Sequence, residues 1–411
     1  MEQVTNKKET LLIVSAIVVS SLGYFVDLYD LLLFSVIRSK SLESLGIAEK
    51  DLLSVGLNLM NWMLAGMLIG GILWGVIADK KGRLKVLFGS IIIYSLANFA
   101  NAYITTIEQY KIFRFITGFG LAGELGAGIT LVCEIMKPKQ RGYGTMLIAT
   151  VGTLGAILAS YIGQNFEWRT AYIIGGALGF FLLILRVSVF ESGLFKKSLE
   201  EKNVQRGNFF QLFTSWKLFV KYFKAVFVGL PIFFVIGVMI TATPEFGIAF
   251  GMTEIPTAGT AVMITYICIS LADILCSSLS QIFKSRKIPL FLFLTILLIA
   301  IILFLFFPSQ TLTGYYTRCG LLGVGIGLWA IINTNASEQF GTNLRATVTT
   351  TTPNFIRGLV IPLSAIFQFL KPTYGLVNST ALVTIPCVLI ALIVLYFTTE
   401  TFGRDLDFNE K

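Results

Sequence analysis

Six ionisable side chains stand inside long apolar runs of this 411-residue chain: Asp27, Asp30, Arg114, Glu124, Asp273 and Arg357. On insertion scales each charge in mid-membrane costs about 2.5–3.5 kcal/mol, so such groups persist where they face water, a partner or a ligand. Asp27 and Asp30 lie three positions apart and therefore share one helix face. Two carboxylates that close repel, and one of them can stay protonated near neutral pH, which is what a proton carrier needs. The chain contains no histidine, so carboxylates are the side chains left for this task. Arg114 and Arg357 each offer a planar fork of donors suited to a solute carboxylate. Asp273 competes as a partner for Arg357, which would make that arginine structural. Asn354 and the threonines before it, Thr349 to Thr352, can line a polar cavity or simply bond their own backbone. Glu124, ten residues beyond Arg114, fits a second proton site, a ligand for an amine, or a packing carboxyl bonded to a hydroxyl.

The elements that must position these groups are membrane spans. Hydrophobic residues make up 55% of the chain and charged residues 13%, about half the charge of a soluble protein. At 1.5 Å per residue a span needs about 20 apolar residues. Twelve candidates follow, at 11–37, 52–78, 84–106, 110–134, 143–165, 170–190, 218–243, 257–283, 288–307, 313–336, 346–370 and 375–398. The weakest boundary is near Thr241–Pro256, where Pro244 and Glu245 interrupt the run. The expected fold is an all-α integral membrane protein of twelve transmembrane helices in two pseudo-symmetric six-helix bundles, 1–190 and 218–411. The hydrophilic stretch 191–217 joins them as a linker.

Lys and Arg crowd alternate loops: Lys80, Lys81, Arg83 and Lys85; Lys137, Lys139 and Arg141; the stretch from Arg186 to Lys224; and Lys284, Arg286 and Lys287. The intervening loops hold few, among them Arg38 and Lys40. By the positive-inside rule both termini are cytoplasmic and the protein is a multi-pass resident of the inner membrane. The formal net charge of +9 is thereby assigned to the inner lipid surface, and a nucleic-acid partner is not expected.

The chain also repeats its ionic punctuation. Arg114, Glu134 and Arg141 reappear as Arg318, Glu338 and Arg345, each 204 positions on, which is the mark of a duplicated structure. Glu134, Arg141, Glu338 and Arg345 mark the inner end of each copy. Glu124 has no counterpart, because Leu328 stands there.

Three motifs carry a family resemblance. The stretch Gly75-Val-Ile-Ala-Asp79-Lys80-Lys81-Gly82-Arg83-Leu-Lys85 resembles the loop between spans 2 and 3 of the major facilitator superfamily. Its second-half counterpart, Ser278 to Lys287, keeps the basic residues but has Ile282 in place of Asp79. The stretch Arg114-Phe-Ile-Thr-Gly118-Phe-Gly120-Leu-Ala-Gly123-Glu124 is similar to the fourth-span motif of the metabolite:proton symporters and their sugar-porter relatives. Asp27-Leu-Tyr-Asp30 is similar to the first-span motif of those symporters, and Glu400-Thr-Phe-Gly-Arg404 is of the same type. The resemblance implies that Asp30 alternates between a proton and Arg114, and that Asp79 and Arg83 belong to a gate at the inner face.

Other chemistry is disfavoured. Gly118-Phe-Gly120-Leu-Ala-Gly123 has the form of a dinucleotide fingerprint but follows no strand and lies within an apolar helix. There its glycines, like Gly66, Gly70, Gly71 and Gly75, let helices approach closely. No Gly-Lys dipeptide occurs, which excludes a P-loop, and no metal site or enzyme activity is expected. The five cysteines sit in apolar runs and read as small core hydrophobes. The expectation is a monomeric secondary transporter with no cofactor, driven by the proton gradient, that takes up a small polar solute such as an amino acid or carboxylate. Proton-driven efflux of a drug, siderophore or other secreted metabolite is the alternative.

Overall fold

The computed structural model describes residues 2–81, 83–136, 141–190 and 209–403; within these, the side chains of 2–12, 79–84, 130, 133–135, 141–142, 188–190, 342–343 and 346 lie outside the description. The expected gate residues Asp79, Arg83, Glu134 and Arg141 are among those side chains. The protein is all-α, with no strand among the described residues. The first half comprises α1 (Glu2–Ser44), α2 (Leu52–Lys81), α3 (Arg83–Asn101), α4 (Ile107–Leu121), α5 (Glu124–Ile135), α6 (Arg141–Asn165) and α7 (Trp168–Phe190). The second comprises α8 (Trp216–Phe227), α9 (Ile232–Phe234), α10 (Thr243–Ala249), α11 (Ala258–Ile282), α12 (Lys287–Phe306), α13 (Leu312–Ile326), α14 (Trp329–Gln339), α15 (Thr342–Gly358) and α16 (Val360–Tyr396).

Among the described residues, ten runs are long and apolar enough to cross a membrane. The last of these, Thr347–Tyr396, contains two expected spans joined at Gly375, where φ of 73° breaks the helix. With α3 in the third position, the twelve-span pattern is complete.

Three expected spans are not continuous helices. The fourth breaks at Ala122–Gly123 and the tenth at Gly327–Leu328, so the duplication is visible in the breaks as well as the charges. A broken helix frees carbonyls and N–H groups that must find partners. In the fourth span, Trp74 Nε1 donates to Phe119 O at 2.8 Å and Asn354 Nδ2 donates to Ala122 O at 2.9 Å. In the tenth, Asp273 Oδ1 accepts from Ala330 N at 3.1 Å. Both copies also start alike: Thr106 and Thr311 accept from the backbone N–H of Gln109 and Gly314 as N-caps.

The seventh span departs furthest from expectation. α8 ends at Phe227 ahead of Gly229 and Pro231, and the chain then runs through α9 into a π-helical segment, Val235–Ile240. π-segments cost regular hydrogen bonding and are frequent at functional sites. This one faces the molecular centre.

The two halves meet along α6 with α11 and α2 with α15. Glycines set the spacing on both faces of α2. Gly66 and Gly70 lie against the backbone of Phe115 and Phe119 on α4, and Gly71 lies against Asn354 on α15.

Candidate functional site

The central charges sort into pairs that the sequence did not reveal. Arg357 lies against Asp27, not Asp273, with Nη2 3.5 Å from Oδ2. The two belong to opposite halves, Asp27 to α1 and Arg357 to α15, and both are buried. Their contact is a single long one: Asp27 Oδ1 and Arg357 Nε have no hydrogen-bond partner. The guanidinium also sits 5.3 Å from the ring of Phe233 and 6.0 Å from that of Trp329, within cation–π reach. Phe233 and Trp329 line a small central cavity with Tyr24, Tyr266 and Thr153. Its free space of ≈ 20 Å³ holds a water or two.

Asp273, the expected rival for Arg357, instead serves the break in the tenth span through Ala330 N. Asn354 likewise serves the break in the fourth, reaching Ala122 O from the other half, and bonds Thr350 O at 2.9 Å. Both residues are buried.

Glu124 is paired within its own half. It bonds both terminal nitrogens of Arg186, with Nη1 at 3.0 Å, and Ser90 Oγ lies 3.4 Å away. Arg186 also donates to Leu87 O at 2.9 Å. A side chain at Gly23 would overlap both Glu124 and Arg186, so α1 leaves room for the pair. Arg186 was assigned to the basic linker; it is a fully buried residue of α7. The signal was present, because apolar residues continue beyond it through Val187, Val189 and Phe190.

Asp30 and Arg114 form no ion pair, although the resemblance implied one as a working state. Neither Asp30 oxygen has a hydrogen-bond partner among the described residues, and Gly175 of α7 packs against it. Arg114 sits with its guanidinium 4.5 Å from the ring of Phe34 and its Nη2 2.6 Å from Met63 Sδ. Both residues are fully buried in the first half.

Polar contacts close the centre towards both ends. At the end away from the termini, Arg38 of α1 meets Glu245 of α10 at 2.6 Å across the halves. Gln164 Oε1 accepts from Thr260 there at 3.1 Å, and Ser160 Oγ donates to Gly259 O. Arg38 was expected in a loop; it lies buried in α1. Towards the other end Thr145 and Thr334 hydroxyls lie 3.3 Å apart.

The inner-end charges of the second half form a cluster within that half. Glu338 binds Arg286 at 2.7 Å and accepts from Thr401 Oγ1 at 2.9 Å, not from Arg345. Arg345 instead reaches Phe340 O at 3.3 Å. Part burial pushes the Glu400 carboxyl up, but hydrogen bonds from Ser285 Oγ and the backbone N–H groups of Arg286, Phe402 and Lys287 outweigh this. They hold it below the usual carboxylate range.

Paired helical bundles with buried charge on the seam between them define a polytopic membrane protein of the two-bundle carrier class. The chain belongs to the Major Facilitator Superfamily, whose family model matches residues 13–365. It is 34% identical to the niacin transporter NiaP of Acinetobacter baylyi over 31% of this chain and 30% of the relative. It is 31% identical to the 3-(3-hydroxy-phenyl)propionate transporter of Escherichia coli over 31% of this chain and 33% of the relative. The chain spans half or less of the length of the curated relatives it matches first. The solved D-xylose-proton symporter shares the fold with a TM-score of 0.70 and 16% identity, over 96% of this chain and 100% of that one.

Proposed function

We propose that this protein takes up a small aromatic monocarboxylate across the inner membrane together with a proton, by alternating exposure of the seam between its two bundles. The observation that carries this is Arg357, a buried guanidinium with an unused Nε, standing beside Phe233 and Trp329 at the central cavity. A guanidinium fork recognises a carboxylate, and flanking rings recognise a flat apolar body. Relatives that carry niacin and a hydroxyphenylpropionate support the same substrate class. With a water or two as its only free space, the site accepts a solute when one end opens. Opening at the Arg38–Glu245 end admits it, and opening at the end bearing the termini, taken as cytoplasmic from the basic loops, releases it.

Asp27 and Asp30 supply the proton-carrying groups. The gradient drives the cycle, and no bound cofactor is required. Purified protein in liposomes tests this. Benzoate or nicotinate accumulates when an inward proton gradient is imposed, and accumulation indifferent to that gradient rejects proton coupling. Asp30→Asn abolishes accumulation and spares counterflow; loss of both assigns Asp30 a structural role.

A further inference from the structure

Arg357 and Asp27 have more in common with a ligand complex than with a structural ion pair. Three observations support this. The pair joins opposite halves, so it must rearrange whenever the halves separate at this level. It is under-bonded: one contact of 3.5 Å, with Asp27 Oδ1 and Arg357 Nε both buried and unpartnered. And it adjoins the cavity through Phe233 and Trp329, so Asp27 occupies the guanidinium from the side a solute would approach.

We propose that Asp27 is an internal stand-in for the solute carboxylate, so that Asp27 and the bound anion compete for Arg357 and exchange through one proton. This rests on the aromatic-monocarboxylate reading above. With the cavity empty, ionised Asp27 neutralises Arg357. When the solute enters, its carboxylate takes the guanidinium in two-point contact, and Asp27 takes a proton from the same aqueous side. The seam then carries one cation and one anion, as it did before. The loaded and empty carriers have equal net charge there, so both can occlude without an unpaired buried charge. An anion without its proton leaves two carboxylates on one guanidinium, and that state resists closure. Coupling is therefore a matter of charge balance at one arginine.

The other charged and titratable groups around Asp27 do not substitute for it. They are Tyr24 and Asp30 on α1, Glu124 on α5, and Tyr266 and Asp273 on α11. Glu124 is held by Arg186, and Asp273 by Ala330 N. Asp30 has no contact with Arg357. Asp27 is the carboxylate that touches the guanidinium.

The test is equilibrium binding of radiolabelled benzoate to the purified full chain from about pH 6 to 9, where benzoate is ionised throughout. In the wild type, deprotonated Asp27 reclaims Arg357, so the dissociation constant rises by about tenfold per pH unit on the alkaline limb, the slope for one proton per anion. Asp27→Asn leaves Arg357 permanently free: it binds benzoate at least as tightly as the wild type does at its acid optimum, and its slope is lost. Asp27→Glu keeps a carboxyl and keeps the slope, which a purely structural role for Asp27 would not require. Should the asparagine variant be too unstable to purify, Asp27→Ser makes the same comparison. Wild-type binding with the same alkaline slope in both carboxyl-free variants overturns the exchange and leaves the substrate class standing. Absence of benzoate and nicotinate binding by every form at every pH overturns both.

Discussion

Two buried Arg–carboxylate pairs occupy the middle of this protein, and they are built to opposite specifications. Arg186 and Glu124 lie within one half, two-point bonded to each other and supported by Ser90 and Leu87 O. Arg357 and Asp27 lie across the two halves, touch once at 3.5 Å, and leave buried atoms on both partners unsatisfied. Burying two charges is repaid only when the remaining donors and acceptors are also bonded. By that measure the first pair is architecture and the second is a contact made to be exchanged. Glu124, which the sequence left between coupling and packing, has the surroundings of a packing residue.

Substitutions at the two pairs sharpen this contrast. Removing one partner of the saturated pair, in Arg186→Ala, is expected to cost about 3–5 kcal/mol, because Glu124 is left buried and uncompensated. Thermal unfolding in detergent reads this as a large fall in midpoint, and the double replacement Glu124→Leu with Arg186→Met recovers much of it. An Arg186→Ala protein as stable as the wild type would erase the distinction. At the exchangeable pair, Arg357→Met is expected to lower stability by less than half as much, because a single long contact is lost. It should nonetheless weaken benzoate binding by at least about thirtyfold, from loss of a charge-assisted fork. Equal loss of stability at both positions would show that the seam pair is structural too.

The smallest effect belongs to the inner-end cluster around Glu400. Its carboxyl is held below the usual range, so its contribution is present above the unfolded-state value and is lost as pH falls through the folded one. Glu400→Gln should therefore flatten the acid side of the stability profile and leave neutral pH nearly unchanged. Unfolding midpoints from about pH 3 to 7 check this, and the residue is too exposed for a larger change.

Much of this was legible in the chain. Hydropathy and the 204-residue offset identified two six-span halves, because burying a helix in lipid requires a long apolar run whatever its neighbours. The same reasoning isolated Asp27, Asp30, Arg114, Glu124, Asp273 and Arg357, since an intramembrane charge is conspicuous by type alone. Partners were not legible. Arg357 was expected against Asp273 or a solute and is found on Asp27, 330 positions away in the chain. Arg38 and Arg186 were read as loop residues because each falls near the end of an apolar run, where sequence cannot tell a snorkelling side chain from a buried one. The helix breaks at Ala122–Gly123 and Gly327–Leu328 were hidden within continuous apolar stretches, and the residues that stabilise them, Trp74, Asn354 and Asp273, come from other helices.

The sequence by itself determined the number of spans, the duplication and which side chains carry unusual cost, because each depends on composition along one helix. Tertiary structure alone decided which charge answers which. Coulombic and hydrogen-bond partnership falls off within a few ångströms, and only the packing of α1 against α6 and of α15 against α2 brings residues so distant in the chain that close. It placed Glu124 in a saturated pair and left Asp27 and Arg357 under-bonded on the seam, which is where an exchangeable contact belongs.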